Sequence, residues 1–258
     1  MKYQQKTFVV TGGLSGLGKG TVERLSQLGG NVAVIDLALP DKPKEGSSPV
    51  QYFNADVSKT QEITAAVNKI VAWNKATGSV IAGVVSCAGF LGPSKIISKN
   101  GTSMLLDQFS KVIDINLIGT VDLIRQFVPY IATQSPNATG ERGVLITVSS
   151  AAAFDGQEGQ TAYGAAKGAI ASMTLPLARD LSCWGIRAVC IAPGLFDTGM
   201  AASMPQKAKE SLENSLEFPA RAGEPEEFAS LVEHVIDNSM LNGTVIRLDG
   251  AARMPSRL

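Results

Sequence analysis

Seven short runs rich in β-branched residues recur along the chain with helical patterns between them, and this alternation restricts the fold more than any other feature. The runs are TFVVT (7–11), NVAVIDL (31–37), VQYFNADV (50–57), VIAGVVSCAG (80–89), GVLITVSS (143–150), IRAVCIAP (186–193) and TVIRLDG (244–250). Several are continuously apolar, which suits strands covered on both faces of a sheet. Between them, Ile63, Ala66, Val67, Ile70 and Val71 form one helical stripe. The alternation predicts a parallel sheet with right-handed crossovers, a doubly wound α/β fold with helices on both faces. A chain of 258 residues suits one such domain, so residues 1–258 are expected to form a single domain. The polar stretch LPDKPKEGSSP (39–49) reads as a surface loop.

Two helical segments, around 103–133 and 158–182, carry apolar residues on more than one face. The first holds Val112, Ile115, Leu117, Ile118, Val121, Leu123, Ile124 and Phe127. A helix facing solvent has a polar side, so these two are expected at a subunit interface, with deep burial in one domain as the alternative.

TGGLSGLG follows the first strand and places Gly12, Gly16 and Gly18 ahead of a helix. Glycines let the backbone approach a pyrophosphate, and the helix N-terminus offers free N–H groups and partial positive charge. Eighteen positions beyond Gly18, Asp36 ends the second strand, where a carboxylate accepts hydrogen bonds from an adenosine ribose and repels the extra phosphate of NADP. Leu37 and Ser15 nearby are uncharged, so NAD is the expected cofactor. Asp56 and Val57, at the end of the third strand, are candidates for contact with the adenine.

TAYGAAK (161–167) sets Tyr163 and Lys167 at i and i+4, on one helical face. A phenol must fall by about three pKa units, roughly 4 kcal/mol, to act as a base at neutral pH. An adjacent ammonium supplies part of that change. Ser150 ends the fifth strand, where ligands of doubly wound sheets gather, and its hydroxyl is placed to hold a substrate oxygen.

TGGLSGLG, Asn116 in DINLIG, Ser150, YGAAK and APGLFDT occur in the order and at the spacing of the short-chain dehydrogenase/reductase family, which the chain resembles over nearly its whole length. The resemblance implies a seven-stranded, mostly parallel Rossmann sheet, and a tetramer or dimer built through the two apolar helices. It also implies a tetrad in which Tyr163 is the general base and Lys167 lowers its pKa and binds the nicotinamide ribose. Ser150 would orient the substrate oxygen, and Asn116 would hold a water in the proton path. SSAAAFDGQEGQTAYGAAKGAI, MTLPLARDL, IRAVCIAPGLF and LNGTVIRLDGAARM are similar to the type-2 3-hydroxyacyl-CoA dehydrogenase subgroup. By that similarity Gly12, Ser15, Gly16, Leu17, Gly18, Asp36, Asp56, Val57, Cys87, Phe196 and Thr198 line the cofactor together with Tyr163 and Lys167, and Gln157 lies near the substrate. The implied reaction is NAD-linked interconversion of a 3-hydroxyacyl-CoA and a 3-ketoacyl-CoA in fatty-acid β-oxidation. A hydroxysteroid or other secondary alcohol is the alternative substrate, and a scaffold in an RNA-processing complex the alternative of another class. The segment 94–107 stands where the subgroup meets CoA, with Lys95 and Lys99 as candidate phosphate contacts, and 195–220 resembles the substrate lid. Where many members have Asn-Asn-Ala-Gly, this chain has Ser86-Cys87-Ala88-Gly89, so a brace of the sheet is missing.

Other classes are disfavoured. With 23 basic and 23 acidic residues no basic stripe is available for a nucleic acid backbone. No apolar run approaches the roughly 20 residues of a membrane span. Three cysteines, Cys87, Cys183 and Cys190, lack the spacing of a disulfide framework or zinc site. The single histidine, His234, falls in a C-terminal helix, and no G-x-S-x-G elbow accompanies it, which disfavours hydrolases. The final Ser256-Arg257-Leu258 is a close variant of the S-K-L peroxisomal address, so an import receptor is an expected partner and the peroxisome the expected location. A mitochondrial or cytoplasmic location is the alternative.

Overall fold

A computed structural model describes residues 3–40, 49–202 and 206–256. The expected loop at 39–49 falls mostly outside these ranges, as do Arg257 and Leu258. Seven strands form one sheet in the order β3-β2-β1-β4-β5-β6-β7. They are β1 Lys6–Thr11, β2 Asn31–Asp36, β3 Val50–Asn54, β4 Val80–Ser86, β5 Gly143–Val148, β6 Ile186–Pro193 and β7 Val245–Leu248. Every pairing is parallel, where a mostly parallel sheet was expected.

Parallel strands need crossovers, and the longer helices supply them: α1 Gly16–Gln27, α2 Thr60–Ala76, α3 Leu106–Ile113, α4 Gly119–Ala132, α5 Thr161–Asp180 and α8 Pro225–Asp237. Two shorter helices, α6 Gly199–Ala202 and α7 Gln206–Glu213, lie within the expected lid. Alternate residues of one strand feed two cores. Phe8 and Val10 of β1 join Phe228 and Val232 of α8 on one face, while Val9 joins Ile63 of α2 and Phe127 and Ile131 of α4 on the other. Both faces are buried, which explains the continuously apolar strands. Each fully buried phenylalanine contributes roughly 2 to 3 kcal/mol of transfer free energy.

The long helix expected at 103–133 starts later and is interrupted. Residues 96–104 fold back on themselves through an antiparallel bridge between Ile97 and Ser103, so α3 begins only at Leu106. A π-turn, Asp114–Ile118, separates α3 from α4 and holds Asn116. Asparagine is a poor helix former, and single π-turns collect at functional sites. Of the apolar residues expected to share several faces, Val112, Leu123, Ile124 and Phe127 are buried, whereas Ile118 and Val121 stay exposed.

The sheet order reverses between β1 and β4, which opens a crevice at their C-terminal ends. Gly12 sits there at φ +66°, and a Cβ on it would lie 3.0 Å from the Ala88 backbone. The Ala88 N–H donates to Thr11 Oγ1 at 3.0 Å, tying the two strand ends together. Ser86 Oγ, at the position of the missing brace, is buried without a hydrogen-bond partner among the described residues.

Candidate active site

Two positive-φ glycines shape the loop after β1: Gly12, and Gly16 at φ +48°. Gly18 opens α1 against the loop itself, since a Cβ there would stand 2.2 Å from the Gly12 carbonyl oxygen. Only glycine allows this contact, and it brings the helix N-terminus onto the loop. Ser15 is extended and precedes α1. At the end of β2, Asp36 Oδ2 accepts the Leu14 N–H at 3.0 Å, which fixes the carboxylate beside the loop. Asp56 lies beyond the end of β3 rather than in it, because the strand stops at Asn54. Burial opposes its charge, but Ser58 donates to Oδ1 from its backbone at 2.9 Å and its hydroxyl at 2.7 Å, and these bonds hold the carboxyl below its usual range.

A second group gathers at the end of β5. Ser150 Oγ accepts the Ala152 N–H at 3.1 Å within a short turn that sets the hydroxyl at the strand end. Across from it, α5 presents Tyr163 and Lys167. Lys167 is 4% exposed. Its Nζ donates to the Val148 carbonyl at 2.8 Å, while Ser149 Oγ donates to the Lys167 carbonyl at 2.6 Å, so the lysine is clamped to the end of β5 at both its backbone and its ammonium. Burial pushes the ammonium from 10.5 down to about 8. Burial also pushes the Tyr163 phenol up, and a hydrogen bond with Ser150 only partly offsets it. Without further positive charge the phenol is therefore a poor base at neutral pH.

These groups line one cavity of about 550 Å³ that runs from Asp36 to the lid. Its wall includes Gly12, Ser15, Gly16, Leu17, Gly18, Asp36, Asp56, Val57, Cys87, Ser150, Gln157, Tyr163, Lys167, Phe196 and Thr198. Thr198 packs over the phosphate loop, its Cγ2 standing 3.0 Å from where a Cβ on Gly16 would be. Cys87 is a wall residue whose thiol burial pushes up to about 12, which leaves it protonated. Asn116 is the tetrad candidate that is not on the wall. It is fully buried, with Nδ2 donating to the carbonyls of Phe90 at 2.8 Å and Val112 at 2.9 Å, and Oδ1 accepting the Phe90 N–H at 3.2 Å. Gly89 separates it from Lys167: a Cβ there would lie 2.9 Å from Asn116 Oδ1 and 3.6 Å from Lys167 Nζ.

Lys95 Nζ pairs with Glu158 at 2.6 Å, an ion pair that is exposed at both ends. His234 is exposed on α8 and interacts with Asn238. Sequence reasoning missed Lys111, Gln160 and Met254, which also line the cavity. Lys111 lies one helical turn before Asn116, and Gln160 immediately precedes α5, so both stood close to residues already singled out. Nothing local marked Met254.

The cavity accommodates NAD. Its volume lies within the range of cofactor sites, its phosphate end is backbone and helix N-terminus, and its ribose end is an acid flanked by apolar Ile35 and Leu37. The profile of the short chain dehydrogenase family matches residues 6–209. A protein of Drosophila melanogaster named 3-hydroxyacyl-CoA dehydrogenase type-2 is 43% identical over 250 residues, covering 95% of this chain and 96% of that one. The human protein of the same name is 43% identical over 251 residues, covering 95% and 94%. The crystal structure of 3-hydroxyacyl-CoA dehydrogenase type-2 from Mycobacterium avium superposes with a TM-score of 0.89 at 34% identity, covering 98% of each chain. The chain belongs to the short-chain dehydrogenase family and is an NAD-dependent oxidoreductase.

Proposed function

We propose that the enzyme interconverts 3-hydroxyacyl-CoA and 3-ketoacyl-CoA thioesters. The observation that carries this reading is identity of 43% along 95% of the chain to relatives bearing that activity in their names. The apolar substrate end of the cavity, built from Leu195, Met200, Leu212 and Met254, suits an acyl chain.

Bound NAD would supply the hydride acceptor and a positive charge that favours the phenolate of Tyr163. In the oxidative direction Tyr163 Oη takes the hydroxyl proton, and in the reductive direction it returns a proton to the ketone oxygen. Ser150 Oγ orients that oxygen. The Lys167 ammonium, held 5.7 Å from the centre of the Tyr163 ring, is placed to favour the phenolate. Asn116 braces Phe90 and the π-turn on the far side of Gly89, with its amide committed to the carbonyls of Phe90 and Val112. Asp36, its carboxylate fixed by the Leu14 N–H, and the α1 N-terminus would hold the adenosine and pyrophosphate, and Asp36 would disfavour NADP by charge repulsion.

The test is kcat/KM for acetoacetyl-CoA, a 3-ketosteroid and a simple ketone with NADH and NADPH. Acetoacetyl-CoA with NADH is expected to lead by about a hundredfold or more. Equal values for the three ketones contradict the thioester assignment.

We also propose a homotetramer formed through α4 and α5, supported by exposed Val121 on α4, Leu175 on α5 and Ile118 at the end of the π-turn beside α4. Sedimentation equilibrium tests it. Where Ser256-Arg257-Leu258 forms a free C-terminus, we propose that it directs the enzyme to peroxisomes. A fluorescent fusion ending in this tripeptide is expected to be punctate, and deletion of Leu258 to disperse it.

A further inference from the structure

A polar cluster away from the catalytic wall surrounds Arg247 on β7. Its Nη1 and Nη2 donate to Asp155 Oδ1 at 3.3 Å and Oδ2 at 2.5 Å, a two-pronged contact. Nε donates to Asp249 Oδ2 at 2.6 Å, and Nη2 also reaches the Ala252 carbonyl at 3.1 Å. The guanidinium lies 5.4 Å from the centre of the Phe154 ring. Asp155 belongs to the loop between Ser150 and Tyr163, whereas Asp249 and Ala252 begin the tail that follows β7. One side chain thus joins the catalytic loop to the tail.

Two further bonds follow from that union. Gln157 Nε2 donates to the Pro255 carbonyl at 3.1 Å, and the Glu158 N–H donates to the Ser256 carbonyl at 3.0 Å. On its other side the tail meets the lid, where Ala252 shares an apolar cluster with Leu195, Leu212 and Leu216, and Met254 packs against it. Met254 also lines the cavity. The tail therefore sits between the loop that bears Gln157 and the lid, with one side chain on the substrate wall.

Resting on the thioester reading above, we propose that Arg247 is a positioning residue that seats the tail, 249–256, as a wall of the acyl pocket. It touches neither substrate nor cofactor and acts through Met254 and the lid. No helix or strand organises this segment, and the clasp anchors its start to the catalytic loop, where the Gln157 and Glu158 bonds hold its end. Removing the guanidinium leaves Asp155 and Asp249 as two carboxylates without their shared cation. Arg253 is no replacement, since it is 67% exposed and 3.7 Å from Asp249. A lysine ammonium has the charge but lacks the fork needed to reach both acids and the Ala252 carbonyl at once.

The experiment compares Arg247→Met, Arg247→Lys, Asp155→Asn and Met254→Ala with the wild type, using acetoacetyl-CoA and 3-ketodecanoyl-CoA. NADH affinity is measured separately by fluorescence titration. Arg247→Met and Asp155→Asn are expected to raise KM for the thioesters by about tenfold with kcat and NADH affinity held, and Arg247→Lys to restore part of the loss. Met254→Ala leaves the clasp intact and is expected to shift the KM ratio of the long to the short substrate. It keeps the proposal testable if the charge variants do not fold. Unchanged KM in the folded clasp variants, an equal loss of NADH affinity, or an unchanged chain-length ratio in Met254→Ala overturns the proposal. A wild type inactive on both thioesters sinks the substrate assignment instead. The clasp is then tested on whichever ketone the wild type reduces.

Discussion

Lys167 Nζ lies 5.7 Å from the centre of the Tyr163 ring while donating at 2.8 Å to the Val148 carbonyl. The ammonium is thus held beneath the phenol by the end of β5, at a position the i, i+4 spacing alone does not fix. Tyr163→Phe keeps the ring and its packing and removes only the proton carrier. Turnover is expected to fall by about 10² to 10⁴. NADH binding, followed by fluorescence, is expected to persist. Near-normal turnover in this variant contradicts the role of the phenol.

The buried lysine also makes stability depend on pH. Its folded pKa is about 8, while the unfolded chain holds the proton to about 10.4. Between those values the unfolded state binds more protons than the folded one, so this group makes stability rise with pH. Below the folded value both states are charged, and the full cost of burying the ammonium is present. Tyr163 acts with the opposite sign above about pH 10, because its raised phenol keeps a proton the unfolded chain has released. Urea unfolding of the cofactor-free enzyme is expected to move the wild type relative to Lys167→Met by roughly 2 kcal/mol in its favour between about pH 7.5 and 9.5. A difference independent of pH in that window contradicts the buried charge.

The strands were legible because both faces of the sheet are covered, which turns each into a dense β-branched run. The phosphate loop was legible because Gly12, Gly16 and Gly18 are required by backbone geometry within a few residues of each other. Asn116 was legible as a residue but not as a place. Its π-turn is held by the carbonyl of Phe90, in another segment of chain, and no local pattern records that contact. The clasp was hidden for the same reason, as Arg247 and Asp155 are 92 positions apart. Likewise, α3 starts at Leu106 rather than near residue 103 because Ser103 bridges Ile97 and the Met104 N–H bonds the Ile96 carbonyl, contacts no local pattern records.

Gly18 sets helix propensity against sterics. Alanine is favoured over glycine inside a helix by about 1 kcal/mol. Here its Cβ would sit 2.2 Å from the Gly12 carbonyl oxygen, and backbone on both sides must move. The clash is the larger effect. Gly18→Ala is expected to lower Tm by roughly 5 °C, the scale of about 2 kcal/mol in a chain of this size. NADH affinity is expected to fall with it, and a Tm equal to that of the wild type contradicts the close approach.

Asp36 does two things at one position: it accepts the Leu14 N–H and presents negative charge at the ribose end of the cavity. Asp36→Asn keeps an acceptor and removes the charge. Its preference for NAD over NADP, measured as a ratio of kcat/KM, is expected to shrink by about tenfold or more, chiefly through gain with NADP. An unchanged ratio shifts the discrimination to another part of the cavity.

Ser86 stands in β4, paired in register with Thr11 of β1 and Thr147 of β5. Its hydroxyl is buried without a hydrogen-bond partner among the described residues. A buried hydroxyl left without a hydrogen bond costs about 1 to 3 kcal/mol. Ser86→Ala removes the orphan and only one oxygen's volume, so the cavity term is small. Unfolding in urea is expected to show a variant at least as stable as the wild type, gaining up to about 1 kcal/mol. A loss of 2 kcal/mol or more would instead identify Ser86 as a brace that hydrogen-bonds across the sheet through ordered solvent.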